Sequence, residues 1–497
     1  MGIPFFFRKI VTKYGKTIIK PAKLGSTCEH LFLDFNSIIH QSANACITKQ
    51  PLKKQLEYYP IIIEEILDNI TTILNNVKPT KQLYIAVDGL CPVAKMVQQR
   101  KRRFMTIWRK KMIKDKHYPD WDSNIITPGT SFMRFLDQEL SKFAEANTRK
   151  FGFEIKVSGS CEEGEGEHKI FQIIKKGMEN CVVYGLDADL MMLSLIHENS
   201  DNISLLRDKP AFSNIAGNCE NADFLTLSIQ QLKIYIEKDF QLNVKEYVIL
   251  CMFMGNDFIP PLSFLNIREN GIEFIMKKYK ELDLNLLNDK GLINLLTLHS
   301  LFNKISMVET QYLEESIRSY FTDTMKQPRI ITERDADLFP KWTKTADFQL
   351  NPHSYYSRFL YTTDIENAVK NYLEGILWTF SYYSRDKYSK TWFYKYNYSP
   401  LVTDLAKICM RVQLNDYQVT NQNEFKLLDN PNIQLLMVLP PESMNIIEDE
   451  NVKKLIITHL THLFPTGFYV ETFLKRYVWE CTPCLPKLTL SEIDLHI

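Results

Sequence analysis

Seven carboxylates, Asp34, Asp88, Glu165, Glu167, Asp187, Asp189 and Asp257, fall at turn-like positions in the first part of the chain, most of them directly after a short apolar run. Mg²⁺ is a hard cation that prefers oxygen ligands and keeps several waters, so converging acids are its expected partners, not His or Cys. Two such ions held about 3.5–4 Å apart would activate a water and stabilise a leaving oxygen, the chemistry of phosphodiester hydrolysis. Each acid alone has an ordinary explanation, as a helix N-terminal charge or as a cap after a strand. The pairs Gly164-Glu-Gly-Glu-His168 and Leu186-Asp-Ala-Asp-Leu190 are harder to explain that way. Two carboxylates separated by one residue repel when buried, and a cation removes the conflict.

Between Lys95 and Lys116 stand ten lysines and arginines against the single acid Asp115. If this run is helical, Lys95, Gln99, Arg102 and Arg103 share one face about two turns long. That face suits a terminal phosphate, with arginine offering a planar fork and lysine a point charge. A solvated basic surface is the alternative. His40, a turn or two beyond Asp34, is placed to stack on a base or to serve as an ordinary polar residue. Trp378, Trp392, Phe393, Tyr394, Tyr396 and Tyr398 form a later aromatic cluster, of a kind that builds cores or, at one member, a stacking platform.

These residues need a frame. The first 275 residues alternate apolar strands with amphipathic segments, which predicts an α/β fold with a mostly parallel sheet flanked by helices. The expected strands are 30–33, 82–87, 153–157, 181–186 and 202–206, with helices over 95–111 and 167–176. In a parallel sheet ligands gather beyond the carboxyl ends of the strands, and Asp34, Asp88 and Asp187 fall at that edge. From about residue 276 to 365 the pattern is helical and then irregular, a linking region. Residues 366–497 form an aromatic-rich, largely helical second region, with 434–439 reading as a strand before Pro440.

At 497 residues the chain exceeds what one core supports, so two or three packed units are expected. Hydrophobic residues at 45 % and charged residues at 24 % exclude a disordered or fibrous chain. Net charge is +1, so affinity for nucleic acid has to come from the local basic run. Ten scattered cysteines read as reduced thiols, and the one close pair, Cys481 and Cys484, is a poor zinc signature without a second pair. Phe6 stands where a myristoylation signal has Ser or Thr. The longest apolar run, 247–254, is short of the ~20 residues that cross a bilayer, so no membrane association is expected.

Taken together the motifs resemble the XRN-type 5′-to-3′ exoribonucleases. The resemblance rests on Met1-Gly-Ile-Pro-Phe-Phe-Phe-Arg8, Leu33-Asp-Phe-Asn-Ser-Ile-Ile-His40, the stretch from Val87 to Phe104, Thr127-Pro-Gly-Thr130, the two acidic pairs with their flanks, and Gly255-Asn-Asp-Phe258. It continues more loosely through Glu374-Gly-Ile-Leu-Trp378, Trp392-Phe-Tyr394, Tyr398-Ser-Pro400, 436–441 and Trp479-Glu480. It implies a core like those of PIN-domain and flap nucleases, with the second region packed against it. It also implies that the seven acids bind Mg²⁺, as two ions that Mn²⁺ can replace. By the same resemblance Lys95, Gln99, Arg102 and Arg103 hold a 5′ phosphate, and His40 stacks on the first base with Trp392 as partner. The expected substrate is single-stranded RNA with a 5′ monophosphate, cut processively to nucleoside monophosphates by a monomeric, cytoplasmic enzyme. Val97 replaces the family's usual Asn, and Lys390 replaces the first Trp of its Ser-Trp-x-Trp-Tyr-Tyr stretch. A structure-specific flap DNA nuclease and a non-catalytic RNA-binding scaffold are the alternatives.

Overall fold

The computed structural model describes residues 2–49, 54–112, 121–209, 222–323, 352–384, 387–414, 427–471, 473–475 and 480–494. Lys114, Asp115 and Lys116 of the basic run, Cys219, Trp479 and most of the irregular linking stretch lie outside these residues.

A seven-stranded sheet is ordered β1-β7-β6-β5-β2-β3-β4. Its strands are β1 (Ile19–Pro21), β2 (Ser26–Asp34), β3 (Val77–Ala86), β4 (Glu154–Ser158), β5 (Cys181–Tyr184), β6 (Ile203–Asp208) and β7 (Phe224–Ser228). The five strands β4-β3-β2-β5-β6 are parallel, while β7 and β1 close one edge in antiparallel pairing. The five expected strands are all present with shifted ends; the two antiparallel edge strands were not anticipated. From β2 the chain steps outward to β3 and β4, then returns to lay β5 on the other side of β2. The order therefore reverses between β2 and β5, which opens a crevice beyond their carboxyl ends.

Both sheet faces are dry. Phe32, Tyr84, Val183 and Leu205 enter one core, and Leu31, Leu33, Leu83, Ile85, Val182 and Leu206 the other. This alternation explains why the strands read as unbroken apolar runs. Helix α1 (Phe6–Ile18) lies on the first face, and α2 (Asn36–Lys49) and α3 (Tyr58–Asn76) on the second. The basic helix α4 (Val93–Met112) follows β3. Then come α5 (Ser131–Phe151), α6 (Gly166–Ile173), α7 (Asp189–Ile196), α8 (Ile229–Phe240), α9 (Val244–Met252), α10 (Gly271–Lys280) and α11 (Leu295–Asp323). Of Ile170, Ile173 and Ile174, expected on the buried face of this helix, Ile170 and Ile174 are buried and Ile173 is half-buried, and α6 ends three residues earlier than expected.

The second region straddles the sheet. Its helix α12 (Ile365–Ser384) joins the first core through Tyr372, Trp378 and Tyr382. Residues Pro431–Val438 join the second core through Ile433, Leu435 and Leu436. This last segment is a helix, not the strand expected at 434–439. Asn430 caps it by accepting from the Asn432 amide, Pro431 opens it, and it is buried on every side. A short apolar run buried all round carries no period that separates helix from strand. Among the described residues no helix is long and apolar enough to cross a membrane.

Candidate metal centre and phosphate pocket

Asp34 ends β2, Asp88 follows β3, and Asp187 follows β5, so three carboxylates reach the crevice from the sheet. Glu165 caps the N-terminus of α6 with Glu167 in its first turn, and Asp189 opens α7. Asp257 comes from the turn after α9. Gly166 makes the approach possible. A Cβ there would stand 2.8 Å from both the Ala86 carbonyl and Asp34 Oδ1, and its amide donates to Asp88 Oδ1 at 2.7 Å. Asn36 holds the other side of Asp88: its Nδ2 donates to Oδ2 at 2.8 Å, and the Asp88 amide donates back to Asn36 Oδ1 at 3.0 Å.

The acids feel one another. Burial, then Asp88 and Asp187, push the Asp34 carboxyl well above the usual range. Burial, then Asp189 and Glu165, do the same to Glu167. Asp189 is raised to about 7 by burial and by Asp257. Asp257 goes the other way: burial works against its charge, yet Lys95 wins and holds it at about 2. Lys95 Nζ sits 2.5 Å from Glu165 Oε2 and 3.0 Å from Asp257 Oδ2. All seven acids are thereby linked through shared neighbours. The tightest convergence among the described residues is Glu165, Glu167 and His168, whose ligand atoms lie within 4.8 Å of one another.

The donor set fits a hard divalent cation. It is dominated by carboxylate oxygen, Asp34, Glu165, Glu167 and Asp189 are each at least nine-tenths buried, and Lys95 offsets only part of the charge. Such a cation supplies what these raised carboxyls lack.

Helix α4 divides its basic side chains by face. Gln99 and Arg103 are buried, and Gln99 Oε1 and Arg103 Nη1 have no hydrogen-bond partner among the described residues. Burial, then Arg102, lower the Arg103 guanidinium to about 9. His40 is lowered to about 4 by burial, then by Arg102 and Arg103, so it is a neutral ring beside two guanidinium groups. Arg100, on another face, is structural: it donates to the Met437 carbonyl at 3.4 Å and to that of Leu463. Lys101 donates to Asn397 Oδ1 at 3.0 Å, and Lys111 pairs with Glu442 at 2.5 Å.

Trp392 lies inside the aromatic stack. It is 6 % exposed, and its ring is 5.2 Å from that of Trp378 at 27°. A base would have to part this stack to lie on it, so the ring does not stand open as the platform expected beside His40. Lys390, at the family's first Trp position, pairs with Glu163. Trp378 stacks on Tyr382 at 4.9 Å, and Tyr382 in turn lies 3.8 Å from the His168 ring.

Besides Asn36, three side chains were not foreseen. Tyr382 donates its hydroxyl to Glu165 Oε1, and Tyr383 donates to Asp189 Oδ1 at 2.7 Å. Lys169 Nζ donates to the carbonyls of Val87 and Gly159, both at 2.8 Å, stapling the loop that carries Asp88. Asn36 and Lys169 fall inside the family-like motifs, whereas the tyrosines follow Trp378 as apparent core aromatics.

Acids gathered at the switch point of a parallel sheet, with a basic helix alongside, form a buried acidic cluster of the kind that holds a divalent cation. Residues 1–209 match the family described as XRN 5'-3' exonuclease N-terminus, and residues 237–349 and 353–491 match the Xrn1 helical domain. The chain belongs to this XRN 5'-3' exonuclease family. It is 30 % identical to 5'-3' exoribonuclease 1 of Schizosaccharomyces pombe over 368 residues, 64 % of this chain and 27 % of that one. It is 26 % identical to the Homo sapiens 5'-3' exoribonuclease 1 (98 % and 33 %) and 25 % identical to that of Saccharomyces cerevisiae (90 % and 40 %). The chain thus spans about a third of the length of these relatives. A solved structure titled the catalytic core of Rad2 in complex with DNA substrate aligns over 88 % of this chain and 99 % of that one, with 13 % identity and a TM-score of 0.32, too loose to argue from.

Proposed function

We propose that the protein is a Mg²⁺-dependent exoribonuclease that removes nucleotides one at a time from the 5′-monophosphorylated end of single-stranded RNA. One observation carries this reading: a single helix, α4, has Lys95 among the acids and Arg102 and Arg103 near His40, with Gln99 buried one turn before Arg103. From Lys95 to Arg103 is about 12 Å along a helix axis. A terminal phosphate held at the far end therefore sets how far along the strand the acids can act.

Arg102 and Arg103 bind the terminal phosphate as charged forks, and Gln99 orients it. His40, kept neutral, stacks on the first base. Asp34, Asp88, Glu165, Glu167, Asp187, Asp189 and Asp257 are the ligands for Mg²⁺, two ions in this reading, which when bound acidify a water and offset charge on the leaving oxygen. Asn36 and the Gly166 amide orient Asp88, so that its carboxylate is set before substrate arrives. A closed pocket around the buried Gln99 and Arg103 would exclude capped and triphosphate ends by size. Names of the relatives, the matched family and the acid cluster support the reading.

The test compares matched RNAs carrying a 5′ monophosphate or a 5′ hydroxyl, with Mg²⁺. A strong preference for the monophosphate is expected; equal rates would remove the pocket from the mechanism. Dominant cleavage of matched DNA flaps would move the assignment to a DNA nuclease.

A further inference from the structure

Helix α12 belongs to the second region, yet two of its residues end in the metal centre. Tyr382 and Tyr383 are adjacent, so their side chains leave the helix about 100° apart. One reaches Glu165 at the N-terminus of α6, the other Asp189 at the N-terminus of α7. Both tyrosines are buried, and a phenolic hydroxyl, neutral at physiological pH, donates to the carboxylate it faces.

The contacts are selective by oxygen. Tyr382 takes Glu165 Oε1 and leaves Oε2 to Lys95 at 2.5 Å; Tyr383 takes Asp189 Oδ1. A carboxylate held through one oxygen resists rotation about its terminal bond, which fixes where its second oxygen lies. The donors are themselves fixed. Tyr382 is stacked on Trp378 at 4.9 Å and meets Phe258 edge-on at 5.2 Å, and Phe258 neighbours the ligand Asp257.

We propose that Tyr382 and Tyr383 are positioning residues of the metal centre, one orienting Glu165 and the other Asp189, so that the second region completes a site whose ligands all lie in the first. This rests on the reading of the acids as metal ligands. Partners of this kind change metal affinity or activity by roughly 10- to 100-fold when removed.

The test uses the full chain, stripped with chelator and titrated with Mn²⁺ by calorimetry, for wild type, Tyr382→Phe, Tyr383→Phe and Tyr372→Phe. The control Tyr372 lies on the same helix and donates to the Pro260 carbonyl at 3.1 Å, not to an acid. The Mn²⁺ dissociation constant is expected to rise about 10- to 100-fold in the two adjacent variants and to stay put in the control. On RNA, their kcat should fall while KM holds within about twofold, the split expected when ligands are misaligned and substrate binding is intact. Wild-type Mn²⁺ affinity in both variants would overturn the assignment, and so would an equal loss in Tyr372→Phe. If the unaltered chain binds no Mn²⁺, the failure belongs to the metal reading itself.

Discussion

Lys95 and Asp257, 162 positions apart, form a buried ion pair at 3.0 Å that ties the basic helix to the acidic cluster. Lys95 was expected in the phosphate pocket; its ammonium instead faces Glu165 and Asp257. Lys95→Met leaves those acids without their cation. Breaking a buried pair costs about 3–5 kcal/mol, so urea denaturation of the chelated variant should show a loss of that order. Added Mg²⁺ should recover part of it by binding the folded state. A loss that Mg²⁺ does not touch would separate Lys95 from the metal site.

Asp187→Asn should abolish cleavage with little change in RNA binding. Metal catalysis is worth several kcal/mol, and each 1.36 kcal/mol is tenfold, so a fall beyond about a hundredfold is expected. Asp187 is the exposed member of the set, so its substitution leaves folding stability near wild type. Single-turnover rates beside filter binding would check both halves.

Arg103→Ala should act on the 5′ end alone. Removing a charged fork that holds the terminal phosphate raises KM for 5′-monophosphate RNA and shrinks the preference over 5′-hydroxyl RNA. Rates on the 5′-hydroxyl substrate should change little. An undiminished preference would take Arg103 out of the pocket.

His40 gives a pH signature whose sign follows from its displacement. Its ordinary value of 6.5 falls to about 4 in the fold. Between those values the unfolded chain takes up a proton that the folded chain refuses. Its contribution is therefore complete above pH 6.5 and is lost as pH falls to 4, at most about 3 kcal/mol in all. The raised carboxyls Asp34, Glu167 and Asp189 act with the opposite sign, so the comparison has to be made by difference. Urea midpoints at pH 7.5 and 5 should fall less in His40→Asn than in wild type; parallel curves would contradict this.

What the sequence shows and what it hides differ by range. Asp34, Asp88 and Asp187 were legible because a carboxylate closing an apolar strand is a local pattern whose geometry the parallel sheet supplies. Helical spacing put Lys95, Gln99, Arg102 and Arg103 on neighbouring positions of one helix, but not that Lys95 would turn to Glu165 and Asp257 while Arg102 stays exposed. Arg100 and Arg103, both buried, were not separable, because only packing shows that Arg100 reaches the Met437 and Leu463 carbonyls. Tyr382 and Tyr383 were hidden for the same reason: next to Trp378 they read as core aromatics, and their acids stand 217 and 194 positions away. The edge strand β1 is only three residues long, and β7 runs directly into the helix that Ile229 opens, so neither stood out as a separate strand. Residues Pro431–Val438 misled because full burial erases periodicity.

The second region packs into the cores on both sides of one sheet, α12 onto α7 and α9 on one side and Pro431–Val438 onto α4 on the other. Expressed without it, the first 275 residues would expose to water the apolar patches that α12 and Pro431–Val438 cover, a recipe for self-association. Mixed as separate polypeptides, the halves should find each other, since each supplies the cover the other is missing. Pruning such a chain toward a minimal working fragment would begin at its surface loops, and neither half could be discarded.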